Sequence, residues 1–467
     1  MEQQSIQVKA HLVAGNEAIP IEASYTSKYS LLVRFLNGNG SLKKADACRV
    51  VLPLNGENIE LGPCQLLPEL NIDGYAGRLV FLNEVFDLER LFFDKKVVTL
   101  QSSSLNLPLV LAHKSNIRQS FRNYTADLTY DLSVYKNLLD NLDSEYAEEP
   151  DHIKDKIQRA ILDTEGRRLM RYLDEKLAEF EGLITDLSKE EHQTHGFYFR
   201  KQLWHIILCS EFMTRTNLKP RGYSGDSEMM RMIYANDYRG NSSFSKALNK
   251  HPLEHPAAQA VRNRRDIVSK KLSDLQEKYG DKPRKKLKIL SVACGPAYEV
   301  RDILKSVEDC RRYHFTLLDQ DRYALLEGAK LIHSIEASLD TKVDVQYLNE
   351  SVRTMLSTPQ LKKKWGQYDF IYSMGLFDYL TPPVASAVLG KLYQLLIPDG
   401  ELVIGNFHVR NPSRYYMEYW LDWVLYYRHE DDFKNLLKKA PSADVTVASD
   451  DTGVQMFLQV RNTAGLN

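Results

Sequence analysis

The sequence predicts an α/β protein in which a domain built on a mainly parallel sheet follows a helical region and a small N-terminal β-barrel. Three patterns support this prediction. Short apolar runs separated by turns fill the first 112 residues, apolar residues at three- and four-residue intervals fill the next stretch, and apolar strands alternate with helical patterns from about residue 281. We therefore expect domains over 1–112, 113–280 and 281–467.

Composition excludes several classes of protein. The chain has 467 residues, of which 43% are hydrophobic and 26% charged, and both fractions are typical of folded soluble proteins. Its net charge of -1 gives no reason to expect a nucleic-acid partner, so a small-molecule or protein substrate is favoured. No apolar run of about 18 residues and no basic leader followed by an apolar run is present, so we expect no membrane span and no export.

The cysteines point to a reducing environment. Five are present, scattered along the chain and without a CxxC pair. This pattern favours neither a disulfide framework nor a zinc site, so we expect no metal and a cytoplasmic location.

The first region carries four β-type runs. They cover 29–36, 48–54, 77–82 and 95–100, and the sequences NGNG, NGEN and NIDG lie between them. Runs of this length with such turn residues are typical of a small barrel or sandwich.

The middle region has the periodicity of amphipathic helices over 132–142, 153–184 and 199–213. Further along, Gly222, Ser224 and Gly225 predict a loop. Asp226 follows them, and its side chain is suited to capping a helix over 227–234 by accepting free backbone N–H groups.

The strongest local signal of the third region is a strand over 287–293 that runs into a turn of small residues and then a helix. Small residues at such a turn allow a ligand to approach the backbone at the carboxyl end of a parallel strand. This turn comprises Ala293, Cys294, Gly295 and Pro296.

A second strand, 315–321, contains Asp319 and Gln320 at its end. Asp319 lies 24 residues after Gly295, and a carboxylate at this place can accept hydrogen bonds from both ribose hydroxyls of an adenosine. The order and spacing of the two strands therefore indicate a Rossmann-like nucleotide site.

Later strands end in further polar or small residues. The strand in 343–351 is followed by Glu350 and Ser351, which suit the edge of an adenine, and the strand in 368–380 is followed by Ser373 and Gly375. The segment 395–407 is predicted as a helix end, a Pro-Asp-Gly turn and a last strand.

With these motifs in order, region 287–460 resembles the class I S-adenosylmethionine-dependent methyltransferases. ILSVACGPA corresponds to the glycine-rich first motif, Asp319 to the ribose-binding acid, and SVRTML and LLIPDGELVIGNF to later motifs. The resemblance implies S-adenosyl-L-methionine as cofactor. Ser291, Ala293 and Ala297 stand where the family has an acidic residue and two glycines. A nucleotide-free or NAD-binding Rossmann domain is the alternative, although the G-x-G-x-x-G motif is absent.

A second resemblance covers about 195–460 and depends on KPRGYSGDSEMMRMIY (219–234) and on 244–268. These segments resemble bacterial proteins that make 3-hydroxypalmitic acid methyl ester. The resemblance implies a lid over the cofactor, with Arg221 as a cofactor contact and Tyr223 as a catalytic residue. A helix-capped connector is the alternative interpretation of the same loop.

The N-terminal region weakly resembles a PilZ-like domain. The Arg-x-x-x-Arg and Asp/Asn-x-Ser-x-x-Gly elements of a cyclic-di-GMP site are both incomplete. We therefore expect a degenerate domain that does not bind that nucleotide in the usual way.

Segment 405–433 follows the last predicted strand and is rich in candidate acceptor-binding groups. Asn406 and Arg410 are donors that can orient a carboxylate, and His408 is a candidate base, although a lone histidine is more often structural. Tyr415 and Tyr419 belong to an aromatic face at helical spacing that suits an acyl-chain pocket or, alternatively, packing in a core.

The sequence thus predicts an O-methyltransferase that esterifies the carboxylate of a hydroxy-fatty acid or similar small acyl acid. Two alternatives stay open: methylation of another small molecule or a protein, and a non-catalytic regulatory protein that retains the cofactor site. The sequence does not predict the oligomeric state.

Overall fold

The computed structural model describes residues 7–15, 17–27, 30–36, 45–54, 57–72, 75–82, 114–279, 286–437 and 443–464. It divides into two compact units, Met1–Ser115 and Asn116–Asn467. The predicted strand over 95–100 lies outside the described residues. No helix among the described residues is both long and apolar enough to cross a membrane.

The first unit is a closed antiparallel barrel, which confirms the predicted N-terminal barrel. Its strands follow the spatial order β1-β2-β3-β6-β5-β4, and β4 pairs with β1 to close it. Alternate side chains such as Leu31 and Val33 fill the interior while Arg34 faces water. The strands are β1 (Gln7–Ala14), β2 (Glu17–Ser27), β3 (Ser30–Phe35), β4 (Ala45–Leu54), β5 (Glu57–Ile72) and β6 (Tyr75–Phe81).

Two cysteines that are distant in sequence meet inside this barrel. Cys48 and Cys64 are cross-strand partners on β4 and β5, and their Sγ atoms lie 3.5 Å apart as free buried thiols.

Eight helices open the second unit, and the three helical stretches predicted from periodicity lie within the first five of them. A five-residue π-helical turn, Leu162–Gly166, joins α2 to α3. The helices are α1 (Gln119–Glu145), α2 (Asp151–Ile161), α3 (Arg167–Ile184), α4 (Lys189–Ile207), α5 (Glu211–Leu218), α6 (Ser227–Ala235), α7 (Ser243–Glu254) and α8 (Pro256–Tyr279).

The cap predicted for the helix after the lid loop is confirmed. The Asp226 side chain accepts the Met229 N–H at 3.0 Å at the start of α6. This carboxylate is fully buried and also pairs with Arg215, whose Nη2 lies 2.7 Å from Oδ2. The loop that precedes α6 is thereby fastened to α5.

A seven-stranded sheet follows in the order β12-β13-β11-β10-β7-β8-β9. Neighbours from β9 to β11 are parallel, and β13 is antiparallel to both β11 and β12. The strands are β7 (Leu287–Val292), β8 (Tyr313–Asp319), β9 (Val345–Asn349), β10 (Tyr368–Ser373), β11 (Leu396–Phe407), β12 (Ala443–Ser449) and β13 (Gln455–Asn462).

Helices connect these strands and cover both faces of the sheet, as predicted for a Rossmann-like domain. The connecting helices are α9 (Tyr298–Ile303), α10 (Val307–Arg312), α11 (Arg322–Leu339), α12 (Val352–Ser357), α13 (Leu361–Trp365), α14 (Pro382–Gln394), α15 (Arg414–Trp420) and α16 (Glu430–Lys434). The strand order reverses direction between β7 and β10, which is where open sheets of this kind bind ligands.

The predicted helix end is confirmed, because α14 ends at Gln394 with Leu395 as its C-cap, but the prediction of a separate turn before the last strand is wrong. Residues 396–407 form the single strand β11, and the Pro-Asp-Gly sequence is an irregularity within it. Asp399 has φ of 64°, and the pairing with β10 jumps from Tyr368–Leu396 to Phe370–Glu401. The extra residues are accommodated by this bulge, so the strand continues through the turn.

The helical region and the end of the sheet share one hydrophobic core. Phe121, Phe180 and Phe199 of the helices pack with Tyr419 and Trp420 of α15. The helices therefore pack against the segment that follows the carboxyl end of β11, and this arrangement encloses the site described next.

Candidate functional site

The turn after β7 adopts an unusual backbone. Ala293, Gly295 and Ala297 all have positive φ, at 54°, 54° and 51°. The left-handed conformation costs an alanine roughly 1–2 kcal/mol. Two such alanines in five residues therefore mean that the surrounding fold holds this backbone in place. Gly295 occupies open space, so its positive φ rather than crowding favours glycine there.

Asp319 ends β8 and holds this turn. Its Oδ2 accepts the Gly295 N–H at 3.0 Å, and its Oδ1 accepts the Asp321 N–H at 2.9 Å. The side chain is buried, and burial raises the pKa of its carboxyl above the ordinary value although these backbone N–H groups oppose the shift. Lone pairs of the carboxylate that these backbone N–H groups do not use remain for a ligand.

The ends of β9 and β10 are polar as predicted, but their serines have structural partners. Asn349 donates to the backbone oxygens of Asp319 and Gln320 at 3.0 and 3.1 Å. Ser351 caps α12 by accepting the Thr354 N–H at 3.2 Å, and Ser373 donates to the Val292 carbonyl at 2.9 Å. Both serines thus bind the backbone and neither lines the cavity found at these strand ends.

These strand ends enclose a cavity of about 240 Å³, which we call the strand-end cavity. It lies at the reversal of strand order between β7 and β10. Nine of the residues predicted for the site line it: Tyr223, Ala293, Cys294, Gly295, Pro296, Asp319, Gln320, Glu350 and Gly375. Arg264, Arg265, Glu299, Tyr372 and Tyr379 also line it and were not predicted.

The predicted lid loop, residues 219–226, contributes Tyr223 and Gly225 to the cavity wall. Arg221 does not line the cavity. Its guanidinium instead lies 3.0 Å from Asp321 and 2.9 Å from Glu327, so this arginine fastens the loop to the start of α11 rather than facing the cavity. Burial and the nearby carboxylate of Asp319 raise the pKa of the Tyr223 hydroxyl, which therefore stays protonated.

Glu299 places a second carboxylate in the strand-end cavity. It lies in the first turn of α9, directly after the left-handed turn, and is 8% exposed. Tyr372 donates a hydrogen bond of 2.7 Å to it, and burial raises the pKa of Glu299. Its place in the turn-to-helix motif is a signal that sequence reasoning missed.

Arg264 projects from α8 into the same cavity. It is 7% exposed, and its Nη1 donates to the Met374 carbonyl at 3.1 Å while its Nη2 contacts the Met230 sulfur at 3.1 Å. Its buried Nε has no hydrogen-bond partner among the described residues. A buried guanidinium with an unused donor can bind an anion.

A smaller apolar cavity of about 50 Å³ adjoins the first, and we call it the inner cavity. The two share five lining residues: Gly225, Met230, Arg264, Gly375 and Tyr379. The rest of the inner wall is largely apolar and comes from α5 to α8 and from the segment after β11, including Phe212, Ile233, Val261, Phe407, Tyr416, Met417 and Trp423.

Gly225 is tightly packed where the walls of the two cavities meet. A Cβ on this residue would lie 2.5 Å from the Tyr379 hydroxyl and 2.8 Å from the Trp423 ring, so only glycine fits without displacement. Trp423 Nε1 donates to that same hydroxyl at 2.8 Å, which fixes both aromatic side chains.

Asp378 lines the inner cavity and is 3% exposed. It accepts the Phe407 N–H at 2.7 Å. Burial raises its pKa to about 6, against the Phe407 N–H and the charges of Arg264 and Arg428, which all lower it.

The structure does not bring the predicted acceptor-binding residues to either cavity. His408 accepts the Arg410 N–H at 3.0 Å through Nδ1, and its Nε2 lies 3.2 Å from Glu430. Asn406 donates to the Tyr426 carbonyl at 3.0 Å, and the Arg410 side chain is exposed. Asn406 and His408 hold the end of β11 and the segment after it together, and Arg410 faces solvent, so the expectation that these residues orient or activate an acceptor is not supported by their placement.

The aromatic face divides between core and cavity. Tyr415 stacks on His192 with ring centroids 5.3 Å apart, and the Tyr419 hydroxyl lies 2.8 Å from His192 Nδ1 within the helical core. Tyr415 and Tyr419 therefore pack the helical region, whereas Tyr416 and Trp423 line the inner cavity.

No protein-family model and no curated protein sequence matches the chain. Among solved structures, the chain is similar to a possible exported protein from Bordetella parapertussis, with 15% identity and a TM-score of 0.41 over 66% of this chain and 97% of that one. It is also similar to magnesium protoporphyrin IX methyltransferase from Synechocystis with bound SAM, at 13% identity and a TM-score of 0.31 over 44% and 83% of the chains. A third similar structure is the N-methyltransferase NodS from Bradyrhizobium japonicum with S-adenosyl-L-homocysteine, at 12% identity and 0.29 over 45% and 89%.

Proposed function

We propose that this protein is an S-adenosyl-L-methionine-dependent methyltransferase that esterifies the carboxylate of an acyl acid. The observation that supports it best is the pair of adjoining cavities: one at the reversal of strand order that carries the carboxylates of Asp319 and Glu299, and a smaller one that shares the buried Arg264 with it. The first motif, Asp319 and part of the SVRTML segment lie in the walls of the first cavity.

The strand-end cavity has groups that suit each part of the cofactor. The free lone pairs of Asp319 are placed to accept two ribose hydroxyls, and the left-handed turn from Ala293 to Ala297 exposes backbone to a ligand. Glu299 offers a carboxylate to an ammonium group, and Glu350 lies at the end of β9 as expected for a contact with an adenine edge. When bound, the cofactor supplies a methyl group on a sulfonium.

Arg264 is our candidate for binding the acceptor carboxylate. It lines both cavities, and its Nε is buried without a partner among the described residues. A carboxylate bound there lies at the junction of the cavities, with its apolar body directed into the inner one. A carboxylate is a nucleophile at neutral pH, so the reaction needs no base.

The reaction therefore requires alignment of the acceptor carboxylate with the methyl group and no proton transfer. A bond forms between a carboxylate oxygen and the methyl carbon, the bond from that carbon to sulfur breaks, and its electron pair stays on sulfur. This in-line displacement is accelerated by holding the acceptor in place and excluding water. Arg264 holds the acceptor in place, and the lid loop with Tyr223 excludes water.

The size of the inner cavity sets the acceptor that fits without movement. Its volume of about 50 Å³ is a fraction of the roughly 150 Å³ that suffices for benzene, so only a short apolar group enters it as it stands. Met230 and Met417 line it, and flexible methionine side chains can repack around a longer chain. We include in the proposal the 3-hydroxy fatty acid that the sequence resemblance implies, with its chain admitted by this repacking. We also propose that the N-terminal barrel is a degenerate PilZ-like domain.

The proposal is tested with labelled S-adenosylmethionine and a series of carboxylic and 3-hydroxy acids of increasing chain length. We expect a labelled product that base releases as methanol, and a chain-length optimum that reports the usable volume of the inner cavity. If no acid in the series gives a base-labile product while another small molecule or a protein is methylated, the acceptor class is wrong.

A matched pair of arginine variants separates acceptor from cofactor binding. Arg264→Gln removes the charge at the cavity junction, whereas Arg262→Gln changes an arginine of the same helix that lines neither cavity and donates to the Ile233 and Leu253 carbonyls. We expect Arg264→Gln to raise KM for the acid by about 10- to 100-fold, the worth of a charge-assisted hydrogen bond, with little change in Kd for S-adenosylhomocysteine. A rise in that Kd instead assigns Arg264 to the carboxylate of the cofactor.

A further inference from the structure

Three potential metal ligands converge where α3 meets the end of α7, away from the strand-end cavity. His251 Nε2 lies 3.0 Å from Asp174 Oδ1, His255 Nε2 lies 3.5 Å from the same oxygen, and the two Nε2 atoms are 3.4 Å apart. His251 is 2% exposed, and Asp174 opens the cluster to solvent.

These separations are those of a tetrahedral metal site. Ligand atoms about 2.0–2.1 Å from a tetrahedral zinc ion are separated by about 3.3–3.4 Å, and the three observed separations bracket this value. Hydrogen bonding alone leaves the contact between the two histidines weak, because 3.4 Å is long for a nitrogen pair and only one of the two atoms can donate. A cation at the centre satisfies all three groups at once.

The second nitrogen of His251 is also positioned for metal binding. Its Nδ1 lies 2.7 Å from the Tyr416 hydroxyl. Metal-bound histidines usually donate their other ring N–H to an oxygen, which fixes the ring orientation and leaves Nε2 free for the metal. Tyr416 therefore has the place of an outer partner.

The other histidine cluster among the described residues has a simpler explanation. His408, His429 and Glu430 also bring three ligand atoms together. There, however, His408 binds the Arg410 N–H, and the backbone N–H of His429 donates to Asp432 at 3.3 Å at the start of α16. Local backbone contacts account for that cluster, and we use it as a control.

We propose that Asp174, His251 and His255 bind one divalent transition-metal ion, best matched by Zn²⁺, with a solvent molecule completing the tetrahedron. The ion joins α3 to the end of α7, and since His255 also lines the inner cavity, it stabilises one wall of that cavity. This departs from the expectation of no metal, which considered only the cysteines. The proposal does not depend on the methyltransferase assignment.

The test uses the full chain with any affinity tag removed. The protein is stripped with chelator, titrated with Zn²⁺ against a chromophoric competitor, and separately loaded with Co²⁺, whose visible absorption reports tetrahedral coordination. We expect one equivalent of metal per chain and a higher melting temperature with zinc than without it.

Asp174→Asn is the main variant because its side chain is 60% exposed and the change is tolerable for folding. We expect it to weaken zinc binding at least about 100-fold, and Tyr416→Phe to weaken it by about 10- to 100-fold, as for removal of an outer partner. Glu430→Gln, an exposed carboxylate of the control cluster, should leave the affinity unchanged. Circular dichroism of the metal-free proteins verifies that each variant is folded.

Two results overturn the proposal. One is a wild-type chain that binds no stoichiometric zinc. The other is an Asp174→Asn variant that binds one equivalent with wild-type affinity, in particular if Glu430→Gln then loses it.

Discussion

The two joined cavities are built in different ways. On its sheet side the strand-end cavity is formed by turns that follow successive parallel strands, where it carries the carboxylates of Asp319 and Glu299, and the lid loop, α6 and α8 form the rest of its wall. The inner cavity is formed by four helices and by the segment after β11, and its wall is mainly apolar around Arg264 and Asp378. The sheet side of the strand-end cavity is thus fixed by the local backbone and by strand order. The inner cavity depends on how separate segments pack. Changes in the first should act on cofactor binding, and changes in the second on the acceptor and on stability.

The largest effect is expected where the cavities meet. Gly225→Val inserts a side chain where a Cβ alone would lie 2.5 Å from the Tyr379 hydroxyl. We expect methyl transfer to fall by about 100-fold, because a shift of about 1 Å in the acceptor costs that much, while the Kd of S-adenosylhomocysteine changes by a small factor.

The control for this variant is Gly182→Val on the exposed side of α3, where a Cβ meets no atom within 4 Å. It should leave methyl transfer at the wild-type rate. Equal losses of transfer and of cofactor affinity in Gly225→Val would mean that the cavities are not functionally separate.

A second prediction concerns the buried acid of the inner cavity. The folded-state pKa of Asp378 is about 6, above the ordinary value near 3.9. The folded protein therefore holds the Asp378 proton more tightly than the unfolded chain does. The stability that protonated Asp378 contributes is present in full below about pH 4 and is lost as the pH rises through about 6. Asp378→Asn can still accept the Phe407 N–H but has no carboxyl to ionise, so it does not show this loss of stability at higher pH.

We therefore expect the free energy of unfolding of Asp378→Asn, relative to wild type, to increase by roughly 2–3 kcal/mol between about pH 4 and pH 8. Urea unfolding across this range measures it. Asp274→Asn, at an exposed position of α8, serves as the control. A difference between Asp378→Asn and wild type that stays constant with pH would contradict the assignment of a raised pKa.

The smallest effect is expected at His408, which lies outside both cavities. His408→Gln removes the acceptor for the Arg410 N–H and the contact with Glu430, so we expect a loss of roughly 1 kcal/mol in unfolding free energy. The kcat for methyl transfer should stay within about twofold of wild type, since no step in the proposed chemistry uses this residue. A fall of kcat with a changed pH profile would restore His408 as a base.

The sequence predicted the parts of the site that local order determines. Gly295 and Asp319 follow two consecutive parallel strands, and the carboxyl ends of such strands meet at one edge of the sheet. The cap at Asp226 is likewise a local interaction and was predicted correctly. In the barrel, the short apolar runs between turn residues predicted β3, β4 and β6, whereas β1, β2 and β5 were not predicted.

Long-range packing determined what the sequence did not show. Arg264 reaches the cavities only because α8 packs beside the ends of β7 and β10, although the Arg-Asn-Arg-Arg run at 262–265 marks an unusual concentration of charge. His408 comes after a strand end, as Asp319 does, but its ring faces Glu430. The pair His251 and His255 has the spacing of one helical turn, and its third partner, Asp174, lies 77 residues earlier than His251.

Calorimetric titration of the full chain with S-adenosylhomocysteine tests the central claim most directly. We predict one binding site per chain, and a Kd at least about 100-fold weaker in Asp319→Ala, which loses two hydrogen bonds to a charged group. Circular dichroism of that variant checks that the turn held by Asp319 has not unfolded the domain. A wild-type chain that binds no S-adenosylhomocysteine, or a folded Asp319→Ala variant that binds it equally well, would contradict the assignment of the strand-end cavity.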